Sequence, residues 1–200
     1  ILLALGAVSG LLGMAFALGQ NDIKRLLAYS SIENIGIITL GIGLASLGRT
    51  LNRADLIALG LGGALFHVWS HGLFKSLLFM NAGGLIHALH TRNINRMGGL
   101  AKSMPRSAAL FALGSIAICG LPPLNGFVGE WLMYLGFFRS MDTSGGAVWP
   151  AAGMAAAALA MIGALALACF VKGYGTVFLG LPREPMPHTA HDPAPTMLIP

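Results

Sequence analysis

Charge is what this sequence has least of. Asp, Glu, Lys and Arg make up 10% of the 200 residues, against about 25% in soluble domains. With a mean hydropathy of +0.75, that shortage excludes an ordinary water-soluble fold. Acids are the scarcer sign: seven Asp and Glu stand against twelve Lys and Arg, for a net charge of +5. The basic residues lie mostly between apolar runs, as in cytoplasmic membrane loops, so the excess does not describe a nucleic-acid surface. Cysteine is limited to Cys119 and Cys169, each isolated in an apolar run. Neither has the spacing of a zinc or redox motif, and both read as packing residues. No nucleophile elbow, phosphate-binding loop or dinucleotide motif occurs. The expectation is a chain with no catalytic residue, no bound metal and no cofactor of its own.

What is present is a series of apolar runs, each near the roughly 20 residues that cross a bilayer as helix. Residues 1–18 are uniformly apolar with small residues and predict a first span. Gly19-Gln20-Asn21-Asp22 is a breaker and N-cap cluster. A second helix then runs to about Leu47, a short loop covers 48–55, and a third helix runs from Leu56 to about His87. A longer polar loop, 90–106, carries Arg92, Arg96, Lys102 and Arg106. The fourth helix, 107–138, is too long for one straight crossing. It is interrupted at 120–126, where Pro122 and Pro123 remove two backbone donors. After a loop at 139–148, a fifth, Ala-rich helix spans 149–179. The 28 glycines suit close helix packing in lipid, and Gly62-Gly63 and Gly83-Gly84 read that way.

The predicted fold class is all-α: a polytopic transmembrane bundle of about five spanning helices, the fourth discontinuous. The domain reading is one five-helix unit over 1–181 and a Pro-rich polar connector or tail over 182–200. The chain opens inside an apolar run without Met, so it is read as an excerpt of a longer protein. The loops after helices one and three hold most of the Lys and Arg and are expected to be cytoplasmic. The chain would then begin outside and end inside.

The organising stretch is 59–87, and within it His67, His71 and Lys75. Their i, i+4, i+8 spacing forms a polar ladder along one side of a helix. A central Lys costs about 2.5–3.5 kcal/mol on insertion scales, tolerable where it faces protein or a water-filled path. Imidazole titrates at about pH 6.5 and an ammonium can donate, so the ladder suits proton passage. The blander reading is an inter-helix hydrogen-bond network. Metal or haem binding by the His-x3-His pair is disfavoured by the neighbouring cation Lys75.

Glu130 is the only acid in the fourth helix and lies just past the Pro-Pro break. Membrane transporters set ion sites at such discontinuities; the alternative is a paired structural acid. Lys24 is either a relay lysine at the mouth of helix two or an interfacial snorkelling residue. Glu33 lies deeper in helix two, where a cation on a neighbouring helix could pair with it. Lys172 either anchors the cytoplasmic end of helix five or extends the relay. His87 and His90 read as interfacial; His188 and His191 receive no role.

On these residues the chain resembles a known superfamily. The run Asn21-Asp22-Ile23-Lys24-Arg25-Leu26-Leu27-Ala28-Tyr29-Ser30-Ser31 is similar to the second-repeat signature of antiporter-like membrane subunits. That superfamily comprises proton-pumping subunits of NADH:quinone oxidoreductase, large subunits of multi-subunit sodium/proton antiporters, and membrane subunits of energy-converting hydrogenases. His67 to Lys75 resembles its histidine/lysine helix, and Gly120 to Trp131 its broken helix. Ser31-Ile32-Glu33-Asn34-Ile35-Gly36-Ile37, Leu121 to Trp131 and Cys169 to Gly175 look most like the membrane component of the hydrogenase-4 and formate hydrogenlyase branch. The resemblance implies about fourteen helices in two inverted five-helix repeats, of which this is the second. It implies a terminal protonatable residue at Glu130, a central lysine at Lys75 with His67 and His71 beside it, and a conducting-side lysine at Lys24.

The expected function is proton translocation by a subunit of a membrane-bound redox complex in the cell inner membrane, with no redox active site in this chain. Expected partners are the other membrane subunits, through them a soluble hydrogenase or dehydrogenase arm, lipids, and protons or sodium. Two rivals stand beside it: a sodium/proton antiporter subunit, and a non-conducting membrane anchor of a soluble hydrogenase.

Overall fold

The computed structural model describes residues 1–142, 148–184 and 191–193; His188 lies outside them. Among these residues the fold is all-helical: α1 (Leu2–Leu18), α2 (Ile23–Thr50), α3 (Ala54–Leu89), α4 (Pro105–Ile118), α5 (Asn125–Met141) and α6 (Val148–Phe178). Asp22 caps α2, its Oδ1 accepting from the amides of Lys24 and Arg25 at 2.8 and 3.2 Å. This satisfies two of the donors a helix start leaves open. His90 ends α3 in the left-handed conformation. A single 3-10 turn, Ile94–Arg96, follows, and Pro105 opens α4 at a position that needs no amide hydrogen.

The helices α2, α3 and α6 are each long and apolar enough to cross a membrane. With 36 residues, α3 extends about 54 Å at 1.5 Å per residue. The predicted fourth helix is two helices: α4 has 14 residues and α5 has 17, with 119–124 between them. The predicted break is therefore present. The other ends differ by a few residues: α2 runs on to Thr50 and α3 starts at Ala54.

Glycine brings the backbones together. A Cβ on Gly13 would stand 2.7 Å from the Glu33 nitrogen, and one on Gly63 would stand 2.9 Å from the Gly129 carbonyl. So α1 packs on α2, and α3 on α5, nearly backbone to backbone. Gly62 and Gly83 differ from expectation: among the described residues nothing lies within 4 Å of a Cβ built at either.

Two apolar clusters divide the bundle. One gathers Leu26, Leu27, Phe74, Leu78, Phe111, Phe170 and Phe178 near the ends of α3 and α6. The other gathers Ile37, Leu40, Leu44, Leu56, Met133, Phe137 and Leu159 toward the opposite side. Along α2 the buried polar residues between them are Ser30, Glu33 and Asn34. Along α3 they include His67 and Ser70. A polar layer thus lies between two hydrophobic ones.

Candidate functional site: a buried polar layer

The layer is assembled across the α2–α3 contact. Ser30 and Asn34 are one turn apart and share a face of α2, with Leu27 one turn before. Lys75 of α3 reaches that face: its Nζ donates to the Leu27 carbonyl at 2.8 Å and to Ser30 Oγ at 2.5 Å. Leu27 and Ser30 so take up two of the three ammonium hydrogens. Asn34 Nδ2 donates to the Ser30 carbonyl at 2.7 Å and to Glu33 Oε2 at 2.5 Å. Its Oδ1 lies 2.9 Å from His67 Nε2.

These contacts settle the orientation of Asn34 and the hydrogen on His67. The Ser30 carbonyl can only accept, so the Asn34 amide nitrogen faces it and the oxygen faces His67. Neutral His67 then carries its hydrogen on Nε2, leaving Nδ1 as an acceptor. Among the described residues Nδ1 is buried and unpartnered, as are Glu33 Oε1 and His71 Nε2. Unpartnered buried polar atoms are costly, and three of them occur within this layer.

Among the described residues Glu33 makes no ion pair within 4 Å; Asn34 is its hydrogen-bond partner. Lys75, bonded to Ser30 in the same stretch of α2, is the cation that the hydrogen bonds bring toward it. The anticipated cation on a neighbouring helix is thus Lys75, at a distance rather than in contact. His71 is half-buried, its ring edge-on to Phe74 at 5.7 Å. Lys75 and His67 are thus held on the same face of α2: the Ser30 hydroxyl accepts from Lys75 and donates to the Leu27 carbonyl at 3.1 Å, the Ser30 carbonyl accepts from Asn34, and Asn34 meets His67, with His71 to one side.

Glu130 sits in α5, 8% exposed, against the break. Leu121 N–H donates to the Ile116 carbonyl at 3.4 Å and Gly120 N–H to the Ala117 carbonyl at 3.3 Å. That pairing, with Gly120 at φ +61°, is a Schellman ending of α4. A Cβ on Gly120 would lie 2.7 Å from both Glu130 carboxylate oxygens. Gly120 is thus required twice, for its backbone angle and for the carboxylate that rests on it. Next along α5, a Cβ on Gly129 would lie 3.1 Å from the Cβ of His67, so the break and the histidine are neighbours. Ser70 Oγ donates to the Asn125 carbonyl at 3.3 Å, tying α3 to the start of α5.

Two candidates lie apart from the layer. Lys24 is exposed at the start of α2. Lys172 Nζ donates to the carbonyls of Leu18 and Gln20 at 2.8 and 3.3 Å, where a cation favours the end of α1. Sequence reading missed Ser30 and Asn34 as site residues. Their i, i+4 spacing beside Glu33, in an otherwise apolar helix, was the available signal. Among the described residues no group of three or more His, Cys, Asp or Glu is arranged to hold a metal ion.

Comparison with known proteins gives the same architecture. The family described as NADH:quinone oxidoreductase/Mrp antiporter, TM, matches residues 1–158. Hydrogenase-4 component B of Escherichia coli (strain K12) is 45% identical over 199 residues, covering 100% of this chain and 30% of the relative. Formate hydrogenlyase subunit 3 of the same strain is 46% identical over 183 residues, covering 91% of this chain and 30% of the relative. In the structure of respiratory complex I from Thermus thermophilus, one chain superposes with a TM-score of 0.79 at 29% identity. That match covers 98% of this chain and 36% of the other. The chain thus spans about 30% of the length of the two Escherichia coli relatives.

Proposed function

This chain belongs to the NADH:quinone oxidoreductase/Mrp antiporter transmembrane family, and from that premise we propose that it translocates protons within a membrane-bound redox complex of the hydrogenase-4 or formate hydrogenlyase type. The observation that carries the reading is the run Lys75–Ser30–Asn34–His67, with Glu33 attached, buried between two apolar clusters. Ionisable side chains within membrane helices are expensive and are retained where they pair or move charge.

In this reading residues 1–181 form one antiporter-like repeat, and 182–200 connect it onward. Lys75 receives a proton from the cytoplasmic side, with Lys24 near its entry. The proton passes between the titratable groups Lys75 and His67, which Ser30 and Asn34 hold in place by hydrogen bonds without carrying it themselves, with Glu33 as the local counter-charge, and leaves toward Glu130 at the broken helix. His71 supplies a second imidazole beside Lys75. Lys172 holds the end of α1 in register. The partners are other membrane subunits and a soluble electron-transferring arm, and the membrane is the cell inner membrane. This chain's residues hold and pass protons; the redox chemistry belongs to its partners.

The test is Lys75→Ala and Glu130→Gln in the full-length protein within its assembled complex. Each is expected to abolish or sharply reduce proton translocation with the complex intact. Wild-type translocation in both would overturn the relay. The family description also includes Mrp antiporters, which favours a second reading, sodium/proton exchange. Sodium-dependent proton movement in vesicles without any redox substrate would select it. Unaltered proton-motive force after neutralising Lys75, His71 and Glu130 would select the non-conducting anchor.

A further inference from the structure

The helix α4 starts without a cap of its own: Met104 stands at its N-cap position and makes no side-chain cap hydrogen bond. The missing acceptor comes from far along the chain. Asp192 Oδ2 accepts from the Arg106 amide at 3.1 Å, and its Oδ1 accepts from the Ser107 amide and the Ser107 hydroxyl, both at 2.9 Å. Three bonds to one carboxylate are more than an ordinary N-cap makes, and a negative charge there also suits the helix dipole.

Asp192 is not an isolated touch. Pro193 lies on α3: a Cβ on Gly84 would be 2.9 Å from its Cγ. Arg183 donates to the carbonyls of Ile94 and Met97 at 3.3 and 3.0 Å, and Arg96 pairs with Glu184 at 2.6 Å. In return, the amides of Gly99 and Ala101 donate to the carbonyls of Leu179 and Phe178, each at 3.0 Å. The segment between α3 and α4 thus closes the end of α6, and Asp192 closes the start of α4.

We propose that Arg183, Glu184, Asp192 and Pro193, beyond α6, form a clasp on the broken helix, with Asp192 its positioning residue: by capping α4 it sets where the far end of α4 places Gly120 against Glu130. The helix between these points is 14 residues long, about 21 Å at 1.5 Å per residue. A displacement at one end moves the other as a rigid unit. A displacement of Asp192 would therefore bear on the Glu130 carboxylate. This deepens the proposed relay and rests on that reading for its consequence, though not for its geometry.

The experiment compares Asp192→Ala with Asp192→Asn in the full-length protein within its complex. It uses two readouts that need no translocation. The first is hydrogen exchange at the Arg106 and Ser107 amides. The second is the rate at which dicyclohexylcarbodiimide, a membrane-soluble reagent for carboxyl groups, labels Glu130. In Asp192→Ala, exchange at both amides should rise about fivefold, the effect of losing a typical cap, and Glu130 labelling should change with it. Asp192→Asn keeps an acceptor at Oδ1 and should restore Ser107 protection and the labelling rate. Unchanged exchange in Asp192→Ala overturns the clasp. Raised exchange with unchanged labelling overturns the positioning role. A proton-translocation failure elsewhere in the relay moves neither readout.

Discussion

At the scale of single residues, the groups that stood out in the sequence were those whose charge is costly in lipid. His67, Lys75 and Glu130 are conspicuous because an apolar run has no cheap place for them. Ser30 and Asn34 were not conspicuous, because small polar residues in membrane helices commonly bond their own backbone. Asn34 does so too, but its remaining groups join Glu33 and His67. Only the placement of α3 against α2 reveals that. Gly120 was legible as part of a break and illegible as a seat for a carboxylate ten residues on. Replacing it by Ala should cost about 1–2 kcal/mol for the left-handed backbone alone. The new Cβ would also displace the Glu130 carboxylate. Thermal unfolding of the detergent-solubilised protein should show a lowered midpoint in Gly120→Ala, and an unchanged midpoint would refute the double requirement.

At the scale of elements, hydropathy and the Pro-Pro pair delivered the helices and the discontinuity. Apolar length marks a span, and two missing amide donors mark its interruption. What they could not deliver was how one element ends on another. Lys172 illustrates this: in the sequence it served equally as anchor or relay, and in the fold its ammonium closes the carbonyls at the end of α1. A cation at such a terminus contributes about 0.3–1 kcal/mol. On the anchoring reading, Lys172→Ala should loosen α1 measurably, as faster exchange of its last-turn amides, while proton translocation persists. Loss of translocation with unchanged exchange would return Lys172 to the relay. The prolines after α6 predict an extended connector. Its docking through Arg183, Glu184 and Asp192 depends on partners some 85 to 89 residues away in sequence, beyond the reach of local pattern.

At the scale of the whole molecule, an exposed ion pair joins the segments that follow α3 and α6, so pH and salt should act on that end of the bundle. Arg96 hydrogen-bonds Glu184 and holds its carboxyl below the usual carboxylate range. The lowered value belongs to the folded state, so the tie contributes fully above the ordinary glutamate pKa of about 4.3. It is lost as pH falls through the lowered value. Both side chains are exposed, so salt weakens the tie further. Arg183, seated on the adjoining carbonyls, should accordingly be cut faster by trypsin in Arg96→Gln at neutral pH than in the wild type, with the cleavage site itself unchanged. Equal rates would show that the ion pair does not hold the segment.

The claim on which the functional reading turns is that Asn34 joins Lys75 and Ser30 on one side to His67 on the other. The most direct measurement is the number of protons translocated per electron pair by the assembled complex carrying Asn34→Ala, with Lys75, His67 and Glu130 all in place. The account predicts retained assembly and electron transfer with proton translocation lost or sharply reduced. Wild-type stoichiometry in that variant would contradict it.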